Sequence, residues 1–490
     1  MNYKTPEAVG IKSSHIKEYI ELLENAHLST HDLIIMRGDS IVFENYWKPF
    51  HKDFLHRMYS VTKSFVTIAI GFLLKDGLVS LDDPISKYFP KEAKLQESEY
   101  MRNQTVKHML MMSTSKTVED WFNARHEDRV RFYFENKNKM ARPSGTTFEY
   151  DSTGTFVLGA LVERQTGKEL ITYLREKLFD KIGVSKEAYF LKCPGGHSWS
   201  DSALLCTPLD LLKVAKFLMN KGRHNKEQLL DEEFITEATS KQIETCFDGV
   251  HDHSGEGYGY YIWRTFDNSY FMNGMGGQFA ICVPDKDIIM IHNADNQGNF
   301  HAPLTVIENF FRLIVRRASD SALPENEREQ RELRDYASTL ELYAVKGEKT
   351  SPCAEKINGK EFIMHENPMG IKSLRITFED ERGVLAYTNK TGYKEIPFGL
   401  SKNEFSYFPE MGYSDTVGSE RGERLYKCAS SGAWLNPNQL FIKVQIIDTY
   451  FGNLHITVGL NGNNIGVYMT KAAEDFLNEY SGFCGGYLNE

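Results

Sequence analysis

Three S-x-x-K tetrads occur in the chain, Ser14/Lys17, Ser60/Lys63 and Ser113/Lys116. Each carries what an acyl-transferring serine needs, a hydroxyl to attack a carbonyl and an amine to take its proton. The tetrad alone does not choose between them, since a chain with this much serine and lysine holds about two by chance. Context does. Ser14 lies on an amphipathic opening helix expected over residues 14–26, with Ser13 or Ser14 as its N-cap, and Ser113 lies in a polar stretch where a helix ends. Ser60 alone begins a long apolar helix, running to Lys75 and stopped at Gly77, directly after the strand-like stretch 54–59. Residues three apart share a helix face, so Lys63 can reach the Ser60 hydroxyl, and the helix N-terminus favours negative charge on the serine oxygen. An amine accepts that proton only when neutral, which costs roughly 3 to 5 kcal/mol that burial and neighbouring cations must supply. The apolar run from Phe65 to Leu74 is consistent with such burial. A capping serine followed by a lysine snorkelling to water would leave the same letters.

The elements that must position these residues follow from periodicity. At 490 residues the chain has the length of two or three domains. Strand patterns at 32–36 and 41–47 flank Arg37-Gly38-Asp39-Ser40, read as a hairpin turn and not as an adhesion motif. Helical patterns fill 105–236, notably 106–112, 155–165, 170–178 and 208–220. Strands return at 258–264, 270–272, 279–283 and 288–291, before a helix at 304–317. This order makes an α+β fold, one antiparallel sheet flanked by terminal helices with a helical insertion. Residues 320–350 read as a charged linker with a short helix. After Pro352 come short strands at 374–378, 384–388, 439–447, 454–459 and 465–469, with Asn461-Gly462 as a hairpin signal, the texture of a separate barrel or sandwich. The expected domains are thus 1–319, 320–350 and 351–490.

A formal charge of −10 without a basic block argues against nucleic acid or an anionic membrane as partner. Seven scattered cysteines with no C-x-x-C, and no apolar core near the N-terminus, point to a reducing, cytoplasmic setting. G-x-S-x-G, H-E-x-x-H and P-loop motifs are absent from the sequence. His251-Asp252-His253 has metal-ligating residue types but reads as a solvated loop beside Ser254-Gly255-Glu256-Gly257. Trp121, Phe122, Tyr133, Phe134, Trp199, Tyr260, Tyr261 and Trp263 could line an apolar pocket, most of them reading instead as core.

Further motifs recur in order around Ser60-Val61-Thr62-Lys63-Ser64-Phe65. They are Phe148-Glu149-Tyr150-Asp151-Ser152-Thr153-Gly154, then Leu158-Gly159 to Thr166-Gly167, with Pro6-Glu7-Ala8-Val9-Gly10-Ile11, Asp82-Asp83-Pro84-Ile85, Thr105 to Leu110 and Thr207 to Leu211. Together, over about residues 6–317, they resemble the serine β-lactamase and penicillin-binding-protein-like superfamily. The similarity is to its class C branch, and within that to 6-aminohexanoate-oligomer hydrolase and esterase relatives. The resemblance implies a β-lactamase/transpeptidase-like sheet domain followed by a lipocalin-like barrel, and a bacterial hydrolase needing no cofactor or metal. It assigns Ser60 as the acylated nucleophile, Lys63 as its hydrogen-bonded partner and Tyr150 as the base that moves the proton. Ser152 stands where the family usually carries asparagine, which argues against efficient β-lactamase action. The family's K-T-G or H-x-G strand has a literal match in Lys390-Thr391-Gly392, but far downstream in the β-rich region. Asn273-Gly274-Met275-Gly276-Gly277-Gln278 is the better counterpart. Its glycines allow close backbone approach, and an N–H of Gly276, Gly277 or Gln278 would join that of Ser60 around an oxyanion. Nothing cationic stands there, against a carboxylate-bearing substrate. The expectation is a serine esterase or amidase acting on a small ester, amide or short peptide-like substrate, with homo-oligomer formation left open. The alternatives are penicillin binding, β-lactamase or D-peptidase activity, or a sensor that turns over poorly.

Overall fold

Seven strands build the sheet at the centre of the N-terminal half of the computed structural model, in the order Asn2–Tyr3, Ser40–Tyr46, Thr30–Arg37, Ile288–Ala294, Gln278–Val283, Ser269–Gly274, Trp263–Thr265. The structure describes all residues except Met1, Glu97, 116–117, 119–120, 122–125, 136–141, 246–252, 412–424, 474–476 and Glu490. Every neighbouring pair is antiparallel except the short parallel contact of Asn2–Tyr3. The Arg-Gly-Asp triplet does sit in the hairpin turn, with Arg37 opposite Ser40 and Gly38 at φ +61°. Thr30–Arg37 and Ile288–Ala294 are almost wholly buried because helices cover both faces, which explains their unbroken apolar texture. On one face Leu33, Ile35, Phe279, Ile281 and Met290 pack with helices Ser13–Asn25 and Ala302–Phe310. The other face meets helix Pro208–Met219.

Several expectations are corrected. The opening helix begins at Ser13 with Lys12 in the cap position, and the buried Glu7 carboxylate does the capping, accepting from the Ser13 N–H (2.6 Å) and hydroxyl (3.1 Å). The strand expected over 258–264 is confined to Trp263–Thr265, because Tyr261 at φ +53° turns the chain where its buried neighbours had suggested β structure. The segment read as a linker is divided between two compact units, with the chain boundary between Glu341 and Leu342. Its helix, Glu327–Ser338, packs on Ser13–Asn25, with Leu333 and Ala337 in the core of the first unit.

Among the described residues of the second unit ten strands run from Glu361–Met364 through Gly482–Leu488, and all but Glu404–Tyr407 close a nine-stranded up-and-down barrel. Inward positions alternate with outward ones, as in Asn464–Ala472, where Ile465, Val467 and Met469 are buried and Tyr468 is not. An odd number of alternating strands forces one pair of neighbours to run parallel. That pair is Gly399–Leu400 beside Ser431–Gly432, with Glu404–Tyr407 making the extra reversal between them. Asn461-Gly462 opens the expected hairpin, with Asn461 opposite Asn464. Lys390-Thr391-Gly392 lies at another barrel hairpin, where the Thr391 hydroxyl donates to Asn389 Oδ1 (2.8 Å).

Candidate active site

A two-residue strand, His56–Arg57, leads into the S-x-x-K segment and pairs with Leu204–Cys206. The Met58 N–H donates to Leu204 O at 2.9 Å. Tyr59, buried, is held at φ +43°, a conformation costly for a bulky residue and maintained only where its surroundings dictate it. Ser60 follows in a short 3-10 turn that runs straight into helix Thr62–Lys75. From Thr62 to Leu73 that helix is buried on every side, so Lys63, 1% exposed, has no route to water. Its Nζ instead donates to Ser60 Oγ (2.9 Å) and to the Asp201 carbonyl (2.7 Å). Asp201 is itself fixed by Trp121 Nε1 (3.0 Å) and the Ser202 hydroxyl (2.8 Å). Arg57, also fully buried, donates from Nε to the next carbonyl, Ser202 O, at 3.3 Å.

Tyr150 faces this pair from the opposite side, its ring centroid 5.2 Å from Lys63 Nζ. Two neighbours position it. Asp151 caps helix Ser152–Thr166, accepting from the Thr153 N–H (2.8 Å) and the Thr114 hydroxyl (2.9 Å). Burial pushes the Asp151 carboxyl up, against those hydrogen bonds. Trp263, on the edge strand, stacks nearly parallel to the Tyr150 ring (6.0 Å, 15°) and is wedged by Tyr258 (4.8 Å, 85°).

The third wall is the hairpin joining Ser269–Gly274 to Gln278–Val283. Gly274 lies so close to the S-x-x-K segment that a Cβ there would sit 2.4 Å from Met58 O, so only glycine lets the strand reach Ser60. Gly276 and Gly277 occupy the left-handed region at φ +84° and +106°. The Gly277 N–H is engaged by Gly274 O (3.2 Å) within the turn. The Gln278 side chain is fully buried behind the hairpin, where it bonds Met275 O and the Ala294 N–H and does not line the cleft.

Together these walls enclose a cleft of about 430 Å³. Ser60, Tyr150, Asn273, Gly276 and Gly277 line it, as does Trp263 among the aromatic candidates. Ser152 does not: it is half-buried on the first turn of its helix. Trp121, Tyr133, Phe134, Trp199, Tyr260 and Tyr261 are core. Phe122, Lys116, His251 and Asp252 lie outside the described residues. The unanticipated wall is the loop after Ile288–Ala294, with Asn296, Gln297, Asn299 and the 92% exposed Phe300. Its amides and glycine gave only a turn signal in the sequence. No acidic or basic side chain is among the described residues lining the cleft.

Beneath the floor lies a set of buried histidines. His56 Nδ1 faces Arg57 O (3.0 Å) and must donate to it, leaving Nε2 to accept from His31 Nδ1 (2.8 Å). His292 Nδ1 donates to Gly277 O (2.8 Å), and Nε2 faces the Thr30 hydroxyl (3.4 Å). Burial holds His56 down to about 3 and His292 to about 4. The unfolded chain therefore takes up protons that the folded one refuses, and stability falls as pH drops from about 6.5 through these values. The loss is about 3 kcal/mol for His292 alone. Buried Asp32 and Asp151, pushed up, act with the opposite sign. Urea unfolding at pH 7 and pH 4.5 should show the fall, and a smaller one in His56→Phe. Equal slopes for the two proteins would remove His56 from the account.

The polypeptide resembles known proteins. A 6-aminohexanoate-dimer hydrolase of Paenarthrobacter ureafaciens is 25% identical over 207 residues, 39% of this chain and 53% of that protein, so the chain spans about half the length of this relative. The octameric penicillin-binding protein homologue of Pyrococcus abyssi superimposes with a TM-score of 0.50 over 96% of this chain and 99% of that one, at 16% identity. A hydrolase with promiscuous acyltransferase activity gives 0.50 over 61% and 98%, at 15% identity. These likenesses are of fold. The Beta-lactamase family model matches residues 20–302, and with more than half of its length covered by that match the chain belongs to the Beta-lactamase family.

Proposed function

We propose that this member of a hydrolase-bearing family is a serine hydrolase that cleaves an ester or amide bond of a small, uncharged substrate through an acyl-enzyme. The observation that carries the reading is the 2.9 Å contact between Lys63 Nζ and Ser60 Oγ at the floor of a cleft bordered by Tyr150. Ser60 Oγ attacks the carbonyl while Lys63 and Tyr150 relay its proton to the leaving group. Tyr150 then takes a proton from the water that attacks the acyl carbon and passes it to Ser60 Oγ as the acyl group leaves. The Ser60 N–H and an N–H of the 276–278 hairpin hold the oxyanion. Of the three, the Gly277 N–H is already engaged by Gly274 O (3.2 Å).

The uncharged lining supports a neutral acyl group over a penicillin-like carboxylate, which a buried cation would ordinarily hold. Steady-state rates on short p-nitrophenyl esters, aminohexanoate dimer, D-amino-acid peptides and nitrocefin test this. Esters of short acyl chains should turn over, and nitrocefin should be slower than the best of them by at least about tenfold. Nitrocefin as the fastest substrate would sink the neutral-substrate reading.

A further inference from the structure

The turn between Gly274 and Gln278 is closed by the Gly277 N–H on Gly274 O (3.2 Å). Three of its positions are glycine and two of those are at positive φ, so the isolated turn has wide conformational freedom. Its carbonyls are instead tied from behind. Met275 O accepts from the Gln278 side chain, Gly276 O from the Asn296 N–H (2.9 Å) and Gly277 O from His292 Nδ1 (2.8 Å). Of these donors only His292 comes as a side chain from the neighbouring strand Ile288–Ala294, and it is fully buried. The Thr30 hydroxyl on its other nitrogen favours the tautomer with the proton on Nδ1. Its ring also lies nearly parallel to Phe279, a cleft residue (5.9 Å, 21°). A trans peptide sets its N–H opposite its C=O, so drawing the Gly277 carbonyl onto the buried imidazole turns the Gln278 N–H the other way.

We infer that His292 is a positioning residue for hydrolysis: by holding the Gly277 carbonyl it fixes the peptide planes whose N–H groups receive the oxyanion opposite Ser60. This rests on the acyl-enzyme reading above. A histidine that merely satisfied a buried carbonyl would affect stability and leave the split between kcat and KM untouched, whereas a misaimed oxyanion donor lowers kcat and spares KM.

The test compares His292→Leu, His292→Asn and Thr30→Val with the full-length wild type on a short p-nitrophenyl ester, alongside fluorophosphonate labelling of Ser60. His292→Leu should lower kcat about 10- to 100-fold with KM within about threefold. His292→Asn, whose amide can donate from nearly the Nδ1 position, should return kcat to within about fivefold of wild type. An undiminished kcat in His292→Leu, or an Asn variant as impaired as the Leu variant, overturns the role. If His292→Leu does not fold, Thr30→Val decides: a several-fold fall in kcat at unchanged KM supports the role and an unchanged kcat overturns it. The failure of the underlying reading looks different. There the wild type itself would show neither a Ser60 adduct nor ester turnover, and the role of His292 would fall with it.

Discussion

Ser60→Ala is expected to lower kcat on the best ester by at least about 10⁴-fold and to abolish the fluorophosphonate adduct, with little change in stability. The size follows from the chemistry, because the nucleophile is the atom to which the acyl group becomes bonded, and Lys63, Tyr150 and the hairpin can then only polarise the carbonyl for attack by water. The small effect on folding follows from position. Ser60 is half-buried in a 3-10 turn, and alanine leaves Lys63 its second acceptor, Asp201 O, at 2.7 Å. Mass spectrometry of the labelled proteins checks the claim at residue level. An adduct that persists in the variant would place the nucleophile elsewhere.

The next largest effect is expected from Lys63→Met, a fall of about 10³ to 10⁴ in kcat. Methionine matches the length and apolar stem of lysine and suits a site buried on every side, so the variant removes the amine without opening a large void. Two consequences separate. Ser60 Oγ loses the group that takes its proton, so labelling by the fluorophosphonate should slow in parallel with turnover. Asp201 O loses its hydrogen bond from Lys63, and leaving a buried carbonyl unsatisfied should lower stability by about 1 to 3 kcal/mol. A variant that is destabilised but labels at the wild-type rate would make Lys63 a structural anchor of the 198–203 turn and no part of the proton relay.

Local chemistry was legible in the sequence wherever neighbours in the chain decide the structure. The apolar run after Ser60 means a buried helix because no face of it is polar, and the barrel strands alternate visibly. The glycines at 274, 276 and 277 announce close backbone approach. What sets the site's geometry was not legible, because it depends on contacts across the fold. That Gly274 abuts Met58 O, that Trp263 stacks on Tyr150, and that the 296–300 loop walls the cleft all require the sheet order. Helix Glu327–Ser338 was read as a linker for the opposite reason. Its charged residues dominate the composition, while the stripe that docks it is as narrow as Leu333 and Ala337. The expected strand at 258–264 had the β propensity of its aromatic residues, and tertiary packing overrode it at Tyr261.

The sheet order has a consequence for biosynthesis. Strand Thr30–Arg37 is made early, but its inner partner is Ile288–Ala294, with Ile34 beside Ile291. At roughly 5 to 20 residues per second, the ribosome leaves that apolar edge waiting for tens of seconds before its neighbour emerges. During that interval the nascent N-terminal hairpin exposes an open β edge, the kind of surface that aggregates or recruits chaperones. The cleft wall at 273–278 is synthesised in the same late stretch. A nascent chain thus carries Ser60 and Lys63 long before it carries the glycine-rich wall opposite them, and the proposed hydrolytic site is complete only when the central strand pair zips shut.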